Sequence, residues 1–329
     1  MKFPIIDMHC DLLSYLEYVP GADPFFPKIG CNLNALKAGN VKLQVMAIYT
    51  GTEKGSSETG LKESEIFKQL LKTHSDKVSL VKDIASLNTA IASDKTGMVV
   101  SIENASGFCE EDEPVENGFK KLDKIISNVE RVIYISFTHH GENRFGGGNY
   151  TEAGLKDDGK KLLDYMSGKK IALDLSHTSD ALAYGQLEHI DKHNLDIPII
   201  ASHSNFSAIF DHPRNLPDDL AKEIIKRKGI IGVNFLRAFL NNDDPDVFYD
   251  HVLHCVNKLG GENAICFGAD YFFASEPDPK RLPYYHKDKE DASCYPALLK
   301  NLEGKVLEGF LENMSHKNVV NFINRIWKP

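Results

Sequence analysis

Seven residues able to bind a metal or move a proton recur in this chain at the ends of apolar runs: His9, Asp11, Glu103, His139, His177, His203 and Asp270. The first two close the run Ile5-Ile6-Asp7-Met8-His9-Cys10-Asp11. Residues two apart on a strand share a face, so His9 and Asp11 should aim the same way. Three imidazoles (His9, His177, His203) with the carboxylates of Asp11 and Glu103 form a donor set suited to zinc, with other divalent transition ions as alternatives. Five protein ligands exceed what one tetrahedral zinc needs. Two Zn2+ per chain are therefore expected, bridged by Glu103, with His9, Asp11 and Glu103 on one ion and Glu103, His177 and His203 on the other. Such a pair, ~3.5–4 Å apart, holds a bridging hydroxide at neutral pH and polarises a carbonyl oxygen, which is metal-assisted hydrolysis.

His139 and Asp270 fall outside that ligand count. An imidazole beside the metals can donate to the oxyanion of a tetrahedral intermediate, and a carboxylate can carry a proton from the attacking water to the leaving nitrogen. The competing reading of Asp270 is a carboxylate that hydrogen-bonds a ligating histidine. Taken singly, His177 reads as a core histidine and Glu103 as a buried acid paired with Lys or Arg. Recurrence of the whole set at one end of six strands carries the metal reading. His140, by strand alternation, is expected to point away from the place His139 occupies.

The elements that must position these residues alternate regularly. After the first strand, apolar β-branched runs at 41–50, 97–105, 132–139, 170–177, 197–204, 229–236 and 264–271 read as strands buried on both faces. Amphipathic patterns at 61–75, 83–93, 116–127, 155–167, 180–192, 217–228 and 245–259 read as the helices between them. Proline and early acids in Asn215-Leu216-Pro217-Asp218-Asp219 mark a helix start, and Gly229 stands where that helix should end. Eight alternations without a Pro/Gly-rich linker predict an α/β fold, a single TIM-like (β/α)8 barrel over residues 1–329, with a helical extension from about 292 to the end. All parallel strands of such a barrel end on one face, so the seven side chains would converge on one mouth. After Tyr271 comes a loop rich in Pro and Tyr, placed to wall a pocket or simply to cover the barrel, then helical stretches near 297–302, 305–312 and 316–327.

Composition narrows the function classes. With 329 residues, 42% hydrophobic and 26% charged, the chain is ordinary globular material, and a net charge of −9 argues against a nucleic-acid partner. No apolar run is long enough to cross a bilayer, so no membrane partner is expected. Met1-Lys2-Phe3-Pro4 leads at once into the first strand, leaving no room for a signal peptide. The six cysteines are scattered without a CxxC pair and read as reduced thiols, which fits the cytoplasm. The segment Gly141-Glu142-Asn143-Arg144-Phe145-Gly146-Gly147-Gly148-Asn149 lacks the Lys-Ser/Thr of a phosphate cradle and reads as an active-site loop or a structural turn.

The ordered series His9-x-Asp11, Ile102-Glu103, Thr138-His139, Asp174-Leu175-Ser176-His177, Ser202-His203-Ser204, His212-Pro213-Arg214-Asn215-Leu216, Gly268-Ala269-Asp270 and Asp291-Ala292-Ser293-x-Tyr295-Pro296 resembles the membrane (renal) dipeptidase family of zinc metallopeptidases, over essentially the whole chain. The resemblance implies a binuclear zinc centre, hydrolysis of dipeptides including those with a D-residue at the C-terminal position, substrate-binding roles for His139 and Arg214, proton handling by Asp270, and a homodimer. Arg214 would hold a substrate carboxylate in a two-pronged contact; the competing reading is a surface arginine paired with Asp211 or Asp218. Three departures stand out. Asn104-Ala105 follows Glu103 where the family has glycines, no second acid follows Asp270, and Leu236 replaces a tyrosine found near the substrate in the mammalian enzymes. The same centre also suits an amidohydrolase-type deacetylase or lactonase, and a metal-stabilised binding protein is the non-catalytic alternative.

Overall fold

A computed structural model describes residues 3–307 and 309–328. Expectations placed on Met1, Lys2 and Pro329, and the part of the 305–312 helix that falls on Glu308, lie outside the described residues. Nine strands form one all-parallel sheet: β1 Ile5–Cys10, β2 Val41–Tyr49, β3 Val78–Leu80, β4 Thr96–Glu103, β5 Val132–Ser136, β6 Ala172–Asp174, β7 Ile199–Ile200, β8 Ile231–Val233 and β9 Ile265–Phe267. Their order is β7-β6-β5-β4-β2-β1-β9-β8, and a parallel bridge between Ala201 and Ile231 joins the two ends. β3 pairs only with β4 and lies off this ring. The other eight strands close the expected barrel.

Each barrel strand is shorter than its expected window and falls inside it, except that β4 begins one residue early, at Thr96. β5 ends at Ser136 rather than at His139, and β6 at Asp174 rather than at His177. Most of the chemistry-bearing residues therefore stand on the loops just beyond the strands. Helices Ser56–Thr73, Ile84–Ala92, Val115–Val129, Asp157–Met166, Asp180–His193, Asp218–Lys226 and Val247–Leu259 surround the barrel as expected. The short helix Leu12–Tyr18, which begins immediately after Asp11, is an addition that buries Leu12, Leu13 and Tyr15. Gly229 needs no left-handed backbone, because Lys228 carries it (φ 60°). What Gly229 provides is close approach: a Cβ there would meet the Ile199 carbonyl oxygen at 2.0 Å.

Two apolar layers hold the barrel. Between sheet and helices lies the large core around Phe67, Phe108, Phe137, Leu163, Phe206 and Phe248. Inside, Ile6, Met8, Leu43, Val45, Val99, Ile200 and Cys266 pack with Phe322, Ile323 and Trp327 of the C-terminal segment. That segment covers the end where strands begin: Asn318 Nδ2 donates to the Ile265 carbonyl (2.8 Å) and Arg325 to the Lys228 carbonyl (2.6 Å). The expected 305–312 helix is helical only at Phe310–Glu312, after Gly304 and Gly309 take left-handed turns. A wide turn at Asn313–Lys317 then leads into the helix Asn318–Ile326.

Candidate metal centre and active site

β1 aims His9 into the barrel mouth by a bulge. Asp7 pairs with Gln44 and Cys10 with Met46, so β1 carries one extra residue against β2. Met8 can then join the interior core while its neighbour His9 also faces inward. Asp7 fixes this kink: its Oδ1 accepts from the His9 backbone N–H (3.0 Å) and the Ala269 N–H (3.2 Å), and Tyr295 donates to its Oδ2. Gly268 performs the matching service on the other side, since a Cβ there would lie 2.0 Å from the Ser202 carbonyl and 3.0 Å from His203 Cα.

Glu103, at the end of β4, is the hub, and its two oxygens serve different groups. Oε2 lies 3.2 Å from His9 Nε2, while Oε1 lies 2.8 Å from His177 Nε2 and 3.6 Å from His203 Nε2. Asp11 Oδ1 is 3.6 Å and Asp270 Oδ1 3.7 Å from His9 Nε2. His9–Asp11–Glu103 and Glu103–His177–His203 are each compact enough to hold one ion. The five expected ligands are thus brought together in the two expected threes.

The hydrogen bonds around the rings fix which nitrogen faces the mouth. Tyr134 donates its hydroxyl hydrogen to the Met8 carbonyl (2.8 Å), so its oxygen is left to accept from His9 Nδ1–H (2.8 Å). Ser202 donates to Asp174 Oδ2 (2.6 Å) and accepts from His203 Nδ1–H (2.6 Å). Each proton sits on Nδ1, leaving the Nε2 lone pair aimed inward. His9 Nε2 consequently faces three carboxylates, and His203 Nε2 lies 3.0 Å from His177 Nε2. His9 Nε2 and Asp11 Oδ1 are buried without a hydrogen-bond partner. Buried lone pairs turned on lone pairs cost several kcal/mol unless cations lie between them. The donor set and its orphaned atoms therefore fit divalent metal ions.

Electrostatics agree. Burial, followed by neighbouring positive groups, pushes His139, His177 and His203 well below the ordinary histidine value, so all three rings are neutral. For His9, burial pulls downward too, but the Tyr134 oxygen and the Glu103 carboxylate outweigh it and hold the ring well above its usual value, so with no metal present Nε2 would draw a proton into the place among the carboxylates that a metal ion would take. Burial raises Asp270 to about 7, assisted by Asp11 and Glu103 and opposed by His9. Strain also collects here. Asn104, His177 and Asp270 have φ of 73°, 65° and 63°, a backbone that costs non-glycine residues roughly 1–2 kcal/mol each.

His139 and Asp270 both line the mouth. His139 Nε2 is 3.9 Å from Glu103 Oε1, and Asp270 Oδ2 accepts from Asn234 Nδ2 (2.8 Å). His140 departs from its expected direction. It too lines the cavity, with Nδ1 3.0 Å from Asn149 Oδ1 and its ring stacked on Tyr150. Strand alternation does not reach it, because β5 has ended four residues earlier. Arg214 is neither on the surface nor paired with Asp211 or Asp218. It is buried, donates to Ser204 Oγ (2.9 Å) and the His203 carbonyl (3.0 Å), and its Nε has no partner among the described residues. Asn104 explains its own departure: it holds the left-handed turn and ties three loops, donating to the Thr50 carbonyl (3.0 Å) and accepting from Asn143 Nδ2 (3.0 Å). Leu236 lines the cavity wall. Sequence reasoning assigned no role to Tyr134, Asp174 and Ser202, which stand behind the candidate ligands, or to Asn234, which holds Asp270. Their signal was a polar side chain inside an otherwise apolar strand.

The cavity over this centre measures about 680 Å³ and is bounded by the loops that follow the strands. In sequence, the chain is 26% identical to an uncharacterized dipeptidase of Schizosaccharomyces pombe over 363 aligned residues, covering 99% of this chain and 80% of that one. In structure, it is similar to the metallopeptidase named dipeptidase AC (TM-score 0.83, 19% identity, 99% of each chain covered). It is equally similar to a metallopeptidase of Rhodobacter sphaeroides solved with a phosphinate mimic of the dipeptide L-Ala-D-Ala (TM-score 0.83, 19% identity, 99% of this chain and 100% of that chain). The family model described as "Membrane dipeptidase (Peptidase family M19)" matches residues 1–328. Barrel, donor set and match along the whole chain lead to one assignment: this protein belongs to the membrane dipeptidase family, peptidase family M19, and is a metallo-dipeptidase.

Proposed function

We propose that the protein is a binuclear zinc dipeptidase, acting as one catalytic domain. Glu103 bridges the ions, with His9 and Asp11 completing one set and His177 and His203 the other. The observation that carries this reading is the division of Glu103: one carboxylate oxygen serves each group of donors. Three imidazoles with two carboxylates favour zinc over harder ions. When bound, the ions supply an acidified water and a Lewis acid for the scissile carbonyl.

The chain's own groups supply the rest. Asp270, with Oδ2 held by Asn234, presents Oδ1 on the His9 side to take a proton from the attacking water and return it to the leaving nitrogen. His139, kept neutral by burial, donates to the oxyanion as it forms. Arg214, buried without a carboxylate partner, offers its unpartnered Nε–H and its charge to the substrate's carboxylate.

Substrates with L-Xaa-D-Xaa chirality are supported by the Rhodobacter relative's complex with an L-Ala-D-Ala mimic. Family membership alone supports a homodimer. Six free cysteines, five of them buried, support a cytoplasmic setting, and no helix among the described residues is long and apolar enough to cross a membrane. The test is hydrolysis of L-Ala-L-Ala and L-Ala-D-Ala by protein stripped of metal and then restored with zinc, beside N-acylated amino acids and lactones. Zinc-dependent cleavage of a dipeptide is expected. Cleavage only of acylated amino acids or lactones would replace this reading with the deacetylase or lactonase alternative.

A further inference from the structure

The mouth is walled by aromatic side chains that leave faces open to it. Tyr18 is 39% exposed at the end of the helix Leu12–Tyr18, and Phe272, Phe273 and Tyr284 are half-buried in the loop after β9. All four line the 680 Å³ cavity. They form a braced unit rather than four separate rings. The Tyr18 hydroxyl donates to the Phe273 carbonyl, Phe273 packs edge-on against Tyr15 (5.0 Å between centroids), and Phe272 packs against Tyr284 (4.8 Å). A cavity of this volume lies in the ~300–1,000 Å³ range that encloses drug-sized ligands. Two alanine residues would leave most of it filled with water.

The order of strands orients the occupant. In the ring β7-β6-β5-β4-β2-β1-β9-β8, β9 stands across from β5 and β1 across from β6. The aromatic shelf, which follows β1 and β9, therefore faces the loops that carry His139, His140 and His177. Beside those loops, after β7, lies a charge available to a carboxylate. Arg214, in the loop after β7 and bonded to Ser204 and the His203 carbonyl, is buried, forms no ion pair among the described residues and keeps its Nε without a partner, whereas Arg281 is exposed and belongs to the shelf's own loop.

We propose that the enzyme selects dipeptides whose N-terminal residue carries a large aromatic side chain, seated on the shelf of Tyr18, Phe272, Phe273 and Tyr284, with the substrate carboxylate directed to the opposite, arginine-bearing side. This deepens the dipeptidase reading and rests on it. A benzyl group buried on such a wall raises kcat/KM by roughly tenfold or more over a methyl group, provided the contact persists in the transition state.

The experiment compares L-Phe-L-Ala, L-Ala-L-Phe and L-Ala-L-Ala with the zinc-restored enzyme and with Tyr18→Ala and Phe273→Leu. The expected result is a Phe-Ala/Ala-Ala ratio of kcat/KM of about ten or more, an Ala-Phe/Ala-Ala ratio near one, and a fall of the first ratio toward one in both variants. A ratio taken within each preparation is independent of how much of it is folded. Phe-Ala no better than Ala-Ala, a preference for Ala-Phe, or a Phe-Ala ratio unmoved in Tyr18→Ala would overturn the inference while leaving the dipeptidase reading intact. No cleavage of any of the three would overturn the inference, and the dipeptidase reading with it only if L-Ala-D-Ala is also left uncut.

Discussion

Replacing Tyr134 by Phe removes a single oxygen, and the structure says what that oxygen does. It accepts the His9 Nδ1 proton at 2.8 Å and donates to the Met8 carbonyl at 2.8 Å, in a site with no solvent exposure. The variant leaves a buried N–H and a buried carbonyl without partners, each costing about 1–3 kcal/mol. Its second effect is on the lone pair. With nothing to hold the proton on Nδ1, the His9 ring can turn or change tautomer, and Nε2 is no longer reserved for the metal. Loss of such an outer partner typically weakens metal affinity by about 10–100-fold, or ~1.4–2.8 kcal/mol. Zinc titration against a chromophoric chelator measures this directly, and the effect should fall on one ion of the pair, because His203 keeps its own Ser202–Asp174 support. A Tyr134→Phe protein that binds both ions as tightly as the parent would refute the tautomer reasoning, whatever its thermal stability.

Three further outcomes follow from the same geometry. Asp270→Asn should retain both metals if His9–Asp11–Glu103 and Glu103–His177–His203 hold them, yet lose about 10²–10⁴-fold in kcat; full activity would remove Asp270 from proton transfer, and loss of an ion would assign Asp270 to the third compact group, His9–His203–Asp270. Asn104→Gly and Asn104→Ala both lose the side-chain ties to Thr50 and Asn143, but only glycine accepts φ 73° without strain, so the alanine variant should be less stable than the glycine variant by about 1 kcal/mol or more in denaturant melts. Glu63 is buried and, chiefly for that reason, holds its proton well above the usual glutamate range, its Oε2 accepting from the Tyr49 N–H (2.8 Å). The folded state therefore binds more protons than the unfolded one as pH rises above the ordinary glutamate value, and this group's contribution to stability falls over that window. Glu63→Gln should match the parent in acid and gain on it toward neutral and alkaline pH; a parallel pH dependence in the two proteins would contradict this.

The barrel was legible because strands buried on both faces read as unbroken apolar runs, and eight such runs are hard to mistake. β3 escaped because three residues at its edge position carry no periodicity. The helix Leu12–Tyr18 escaped because its start abuts the ligand run, which reads as strand through Asp11. The five proposed ligands were legible as residue types at strand ends, a local signal. Their supports were not. Tyr134 lies 125 residues from His9, and Ser202 reaches Asp174 across 28, so only the closed barrel shows which hydroxyl serves which ring. His140 was misjudged by carrying the two-residue alternation past Ser136, where the strand and its rule both stop.

The position of β1 between β2 and β9 sets a timetable for synthesis. A nascent chain that has emerged only as far as β8 already contains His9, Asp11, Glu103, His177 and His203, yet its first strand has one neighbour instead of two. Asp7, which shapes the bulge under His9, still waits for Ala269 and for Tyr295. The donors are thus present long before the wall that aims them is complete. The barrel closes, and the metal centre acquires its shape, only when the last part of the chain arrives, so a truncated product carries the ligands without the site.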